Sequence, residues 1–428
     1  MAQIASQNAP SPSLVVPHFI FGGFTWLAAT GLISLFPEAF IGHYFNPKLL
    51  AIAHLLALGW ITMVIFGALY QLIPVVMEVK LYSERLAAAA FVLLGLAAVL
   101  LAVMFWRFQL DALMHVSALL AITAVLLFSI NVMATARRST KKTVEQDFIL
   151  TAVLWLVFTV AAGATLAFNL RHAFLSTPHL ELLKLHAHAG IVGWFIQLIM
   201  GVGSRLLPMF MVSHGLDSRK LHLAYYAVNG GLLAGILALG LQWRPGVLAG
   251  IAGVVAGLLL FLSFLWEAYR KRVKKQLDIG MKQSALAFVL LLLPLVLVVV
   301  LSLPAGFLKN ITAPAAIAYG AALLLGFITA LIMGQTYKTL PFIVWLKVYR
   351  SLVGKGKTPL PRDLYSERAA NIQLWAFAAG FSVLLAGILL QRPGLISAGG
   401  LLLLLSAAFY NFNILKVVLH KPYKKFKP

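Results

Sequence analysis

Twelve apolar runs of membrane-crossing length leave this chain little choice of fold. A helix needs about 20 mostly apolar residues to cross the hydrocarbon of a bilayer. The runs lie at 14–36, 48–77, 86–106, 110–136, 147–169, 182–212, 221–242, 246–268, 284–304, 313–346, 369–390 and 394–417. Backbone inside lipid must satisfy its own hydrogen bonds, which only helices and closed barrels achieve. Continuous runs rather than alternating ones favour helices. The expected fold class is therefore an all-α polytopic membrane protein with twelve transmembrane helices, filling residues 1–428 as a single membrane domain. Only 11% of the residues are charged, against about 25% in a soluble domain. Cysteine is absent, so disulfides, thiolate metal ligands and a cysteine nucleophile are excluded. Residues 1–13 are polar and lack the basic region of a cleaved signal peptide.

The connections between runs alternate in charge. One set holds 25 Lys and Arg, in stretches such as RRSTKK (137–142), RKRVKK (270–275), Lys347–Arg368 and the tail KPYKKFKP. The other set holds 7, Lys184 and six in the short connections Phe36–Lys48, Arg107–Leu110, Arg171–Leu180, Gln242–Pro245, Pro304–Asn310 and Gln391–Pro393. Positive loops stay inside. The expectation is a multi-pass protein of a cell inner membrane with both termini cytoplasmic. The net charge of +22 then belongs to inner loops, so the expected partner is the lipid bilayer, not nucleic acid.

The second, sixth and tenth runs share a register. "GWITMVIFGALYQLIP", "GWFIQLIMGVGSRLLP" and "GFITALIMGQTYKTLP" each place an aromatic after the first glycine, a second glycine eight residues on, and a proline seven further. The positions are Gly59/Gly67/Pro74, Gly193/Gly201/Pro208 and Gly326/Gly334/Pro341, offset by 134 and 133 residues. Such self-similarity marks an internal repeat. It predicts three pseudo-symmetric four-helix units, about 14–136, 147–268 and 284–417. Glycines at these positions let a neighbouring helix or a flat ligand approach closely.

Histidines fit the same frame. His54 lies five residues before Gly59 and His188 five before Gly193; Ala321 fills that place in the third unit. His186 precedes His188 by two residues, and two residues on a helix diverge by about 200°. His115 sits at a similar depth at the outer start of the fourth run. An ionisable residue inside a membrane span is a functional candidate.

Twelve helices in three fours, a histidine early in span two and an H-x-H on an inner helix resemble the catalytic subunit of the haem-copper oxidases. The resemblance implies that His54 is an axial ligand of a low-spin haem, and that His186 and His188 match H-x-H in chemistry. The family carries that motif on span ten, where this chain has Gly320 and Ala321. The family's copper histidines on span seven are also missing: LHLAYYAVNGG has His222 alone. All 12 acidic residues map to loops or helix ends, which leaves no mid-membrane proton relay. The resemblance is therefore to a divergent member of that superfamily lacking the copper triad, comparable to the haem- and copper-containing NnrS proteins linked to nitric oxide, and not to an oxygen reductase.

The expected site is a haem b held by His54 and His188, with Arg171 and Lys184 at its outer edge to pair with propionates. His186 and His115 are candidates for a second metal or haem, with copper the metal that the resemblance implies. The plainer alternative for each imidazole is an interhelical hydrogen bond. Arg205 and Lys338 occupy one repeat position near the cytoplasmic ends, where snorkelling to lipid phosphates is expected. The function expected is a haem-binding membrane cytochrome for electron transfer or nitric oxide-related redox chemistry, with respiratory subunits or a cytochrome as partners. The alternative is a cofactor-free transporter for a metal or for haem, which Gly/Pro-interrupted helices also suit.

Overall fold

The computed structural model describes residues 8–140, 142–303, 311–353 and 358–422. Residues 304–310, Lys141, residues 354–357 and the ends of the chain lie outside the described residues. Twelve of the described helices are long and apolar enough to cross a membrane: α1 (Pro12–Leu35), α2 (Pro47–Val76), α3 (Glu84–Arg107), α4 (Ala112–Ala136), α5 (Val144–His172), α6 (His179–Met211), α7 (Arg219–Gly240), α8 (Arg244–Arg270), α9 (Ile279–Ser302), α10 (Thr312–Leu352), α11 (Glu367–Leu389) and α12 (Pro393–Val418). No strand occurs among the described residues. This is a multi-pass, all-helical membrane protein.

Local chemistry sets the helix starts. Ser83, Thr143, Asp278 and Ser366 each accept a backbone N–H of the first turn through the side chain. Such caps satisfy donors that have no partner within the helix. Pro12, Pro47 and Pro393 open α1, α2 and α12, where a missing N–H costs nothing.

Three helices depart from regular winding. α2, α6 and α10 carry π-helical stretches at Leu55–Thr62, Ala189–Ile196 and Ala322–Ile328. These stretches begin one residue after His54, His188 and Ala321. The same three helices are the most enclosed, with 67%, 78% and 72% of their apolar windows buried. Every other span is at most 56% buried, so these are the inner helices.

The chain forms two compact units, Met1–Gln109 with Asp278–Pro428, and Leu110–Leu277. The first contains α1–α3 and α9–α12. There Asn411 donates to the Gly23 carbonyl at 2.9 Å and Ser397 to the Ser34 carbonyl at 2.6 Å, tying α12 to α1. The second contains α4–α8. Its α7 and α8 meet through glycines: a Cβ on Gly231 would stand 2.7 Å from the Gly250 carbonyl oxygen. Close approach of small residues is how helices associate where water supplies no driving force.

Candidate functional site

In the first unit, Asn46 caps the start of α2 by accepting from the Lys48 and Leu49 amides. Two turns on, His54 ends the regular α-helical winding. Its Nδ1 lies 2.8 Å from the Leu50 carbonyl oxygen. A carbonyl only accepts, so Nδ1 carries the proton and Nε2 of the neutral ring holds the lone pair. The ring stacks on Phe105 of α3 at 4.7 Å and is half-buried.

In the second unit, His188 repeats this arrangement. It is the last residue of regular winding in α6, and its Nδ1 lies 2.8 Å from the Lys184 carbonyl oxygen. It too is half-buried. Both rings are thus held by the carbonyl four residues earlier, with the tautomer fixed. Metal-bound histidines are typically oriented in this way by their other nitrogen. In both helices the π-helical stretch follows at once. Such stretches are rare and frequent at functional sites.

His186 is turned elsewhere. Its Nδ1–H donates to the Thr159 carbonyl of α5 at 2.9 Å. Gly163 makes room for the ring, since a Cβ there would stand 2.7 Å from Cε1. The two histidines of H-x-H therefore engage different partners. His115 lies flat on Phe168, with centroids 4.1 Å apart and planes at 4°, and its ring is 5.6 Å from that of His172. The His115 Nε2 is buried and has no hydrogen-bond partner among the described residues.

The expected propionate partners sit in the same unit as His188. Arg171 is exposed in the last turn of α5. Lys184 pairs with Glu181 on its own helix at 2.7 Å, so an incoming carboxylate would have to exchange with Glu181. Among the described residues no group of three or more His, Asp or Glu is arranged to hold a metal ion.

The repeat glycines receive side chains from neighbouring helices. A Cβ on Gly59 would meet Thr25 at 3.1 Å, one on Gly193 would meet Trp155 at 2.6 Å, and one on Gly326 would meet Phe381 at 2.7 Å. At these positions close approach serves helix packing. The aromatics after them are core residues as well: Trp60, Trp194 and Phe327 are at most 1% exposed. Trp60 also links two π-helical stretches within the first unit. Its indole N–H donates to the Thr329 hydroxyl at 3.1 Å, which donates in turn to the Leu324 carbonyl five residues earlier at 2.7 Å.

Lys338 differs from the snorkelling expected of it. It forms an ion pair with Asp278 at the start of α9, at 2.6 Å. Arg205, at the matching repeat position, is exposed. His18 is fully buried in α1, against Gly67 and 4.7 Å from the Phe91 ring; its Nε2 has no hydrogen-bond partner among the described residues.

Sequence reasoning passed over Thr159, Gly163, Phe105 and Asp278. Gly163 lay within VAAGATLAF, where a small residue reads as ordinary helix packing. The helix-start position of Asp278 next to a basic loop was a signal for a cationic partner. The chain matches no protein-family model and no curated protein.

Proposed function

We propose that this protein is a b-type membrane cytochrome in which His54 and His188 each supply an axial imidazole to haem b. One observation carries the reading. Each of these rings donates Nδ1–H to the carbonyl four residues earlier, keeps Nε2 as its lone-pair nitrogen, and immediately precedes a π-helical stretch. Single oriented imidazoles suit haem iron, because the porphyrin supplies four nitrogens and the protein need add only one or two. A non-haem ion would need a larger cluster of side chains. When bound, the haem supplies a one-electron couple, for electron transfer or nitric oxide-related redox chemistry. The protein's own part is to hold the rings in one tautomer, enclose them within inner helices, and offer Arg171 and Lys184 to propionates.

The lysines and arginines, 25 on one set of connections and 7 on the other, support cytoplasmic termini in a cell inner membrane. Respiratory subunits or a soluble cytochrome are the electron partners this reading implies. Three four-helix repeats belong to the same proposal, and so does copper as a second metal.

A reduced-minus-oxidised optical spectrum of the purified protein, with iron and copper analysis on the same sample, tests the reading. The expected result is a sharp haem b α-band, from which His188→Ala loses the part assigned to that ring while the variant still elutes as a folded monodisperse particle. A flat spectrum from wild-type protein expressed with ample haem would overturn it and favour the cofactor-free transporter.

A further inference from the structure

At the cytoplasmic ends of α6, α7 and α8, within the second unit, cations outnumber anions. Residues 205–220 and 266–275 carry eight Lys and Arg against Asp217 and Glu267. Much of this charge is already spoken for. Glu267 holds Lys220 at 2.7 Å and Lys271 at 2.8 Å, and Lys271 also donates to the Gly215 carbonyl. Asp217 accepts from the Arg219 amide.

Arg272 is placed differently. Its guanidinium lies over the Tyr269 ring, 3.7 Å from the centroid. One terminal N–H donates to the Tyr269 carbonyl at 2.6 Å. Its Nε is buried and has no hydrogen-bond partner among the described residues. A buried donor on a charged group is costly when unmet and calls for an acceptor that the described residues do not provide. The segment carrying it is fixed, since the Val273 and Lys274 amides donate to the carbonyls of Val212 and Met211. Trp266, one turn below on α8, is 62% exposed and stacks with Tyr269 at 5.6 Å. Tryptophan favours the level of lipid headgroups, and Leu259, two turns further into the span, also faces outward.

We propose that Arg272, Tyr269 and Trp266 form a specific site for an anionic phospholipid. The guanidinium fork takes the phosphodiester, because two parallel N–H groups match two phosphate oxygens. The acyl chains lie along the exposed apolar stripe of α8. Basic pockets on the cytoplasmic side bind lipid headgroups in this manner.

Native mass spectrometry of the whole chain, released from nanodiscs of mixed phosphatidylglycerol and phosphatidylcholine, tests the site. Wild type should retain phosphatidylglycerol selectively. Arg272→Gln should lose about tenfold in retention, the scale of one lost charged hydrogen-bond pair, with an unchanged melting temperature. Arg272→Lys, which keeps the charge but not the fork, should fall between. Arg362→Gln, a cation on another inner connection, should match wild type. The proposal is overturned by equal retention of phosphatidylcholine, by undiminished retention in Arg272→Gln, or by a wild type that holds no lipid. Displacement of the lipid by millimolar inorganic phosphate would also overturn it, since the site would then be one for free phosphate.

Discussion

α2 and α10 lie in the same compact unit and share much of their design. Each is an enclosed helix with a π-helical stretch in its N-terminal half, a glycine-aromatic pair inside that stretch, and a proline further along. One buried chain joins them, from Trp60 to the Thr329 hydroxyl and on to the Leu324 carbonyl. They differ at the residue before the stretch, which is His54 in α2 and Ala321 in α10. The backbone device is therefore not itself a ligand site. It recurs in α10 after a residue that cannot bind a metal. The imidazole is an addition to that scaffold, and α10 is its internal control.

The largest expected effect tests this contrast. His54→Ala should reduce the haem α-band assigned to that ring to background, while Ala321→Ser leaves the spectrum of the wild type. Equal spectra in all three proteins would erase the distinction and reduce His54 to a packing residue.

A smaller effect separates the glycines. Gly326→Ala drives a methyl against the ring of Phe381, which is 2% exposed and has little room to move. Overpacking of this kind costs about 1–3 kcal/mol. Gly59→Ala meets Thr25 at 3.1 Å, and that milder conflict is offset by a gain of about 1 kcal/mol in helix propensity. Thermal melts in one detergent should therefore show a clear drop for Gly326→Ala and almost none for Gly59→Ala. The reverse order would mean that α2 is the more tightly packed of the two.

The smallest effect is on pH, at opposite ends of the same two helices. The Tyr349 hydroxyl of α10 lies 2.8 Å from His420 Nε2. Burial first, and Lys416 second, hold this imidazole below its ordinary range. Its lowered value means that the unfolded chain binds the proton more readily, so this contribution is complete above the ordinary histidine pKa and is lost as pH falls through the lowered one. At the start of α2, Glu38 pairs with Lys48 at 2.8 Å, and the hydrogen bond from Lys48 lowers the carboxyl. That contribution is also lost as pH falls, but only in the acid range of carboxylates. Amide exchange should thus loosen the end of α12 around His420 before the α1–α2 connection when pH is lowered from 8. Simultaneous loosening would mean a global transition rather than two local ones.

Hydropathy placed the spans well because hydrocarbon imposes one length on every crossing helix. The expected run at 48–77 and the observed Pro47–Val76 differ by one residue at each end. The π-helical stretches were not legible, since an extra residue per turn leaves no mark in composition. His54 and His188 were found through their repeat position, yet their shared tie to the carbonyl four residues earlier depends on a rotamer. The turn of His186 toward Thr159 depends on which helix lies beside it and on the gap above Gly163. Lys338 was expected to reach lipid because its partner Asp278 is 60 residues away in the chain.

The π-helical stretches also bear on how such a sequence can drift. A residue gained or lost within a regular α-helix turns everything beyond it by about 100°, which a packed span rarely survives. Wider winding is the form in which a helix accommodates an added residue. α2, α6 and α10 thus each contain a place where chain length is negotiable. It lies between the N-terminal half, which carries His54 or His188 in two of the three, and the C-terminal half, which carries Pro74, Pro208 or Pro341. An insertion or deletion there re-aims one half while leaving the other in place. The two ends of these helices can then diverge as separate modules, and length differences among descendants of this chain should collect at those three positions.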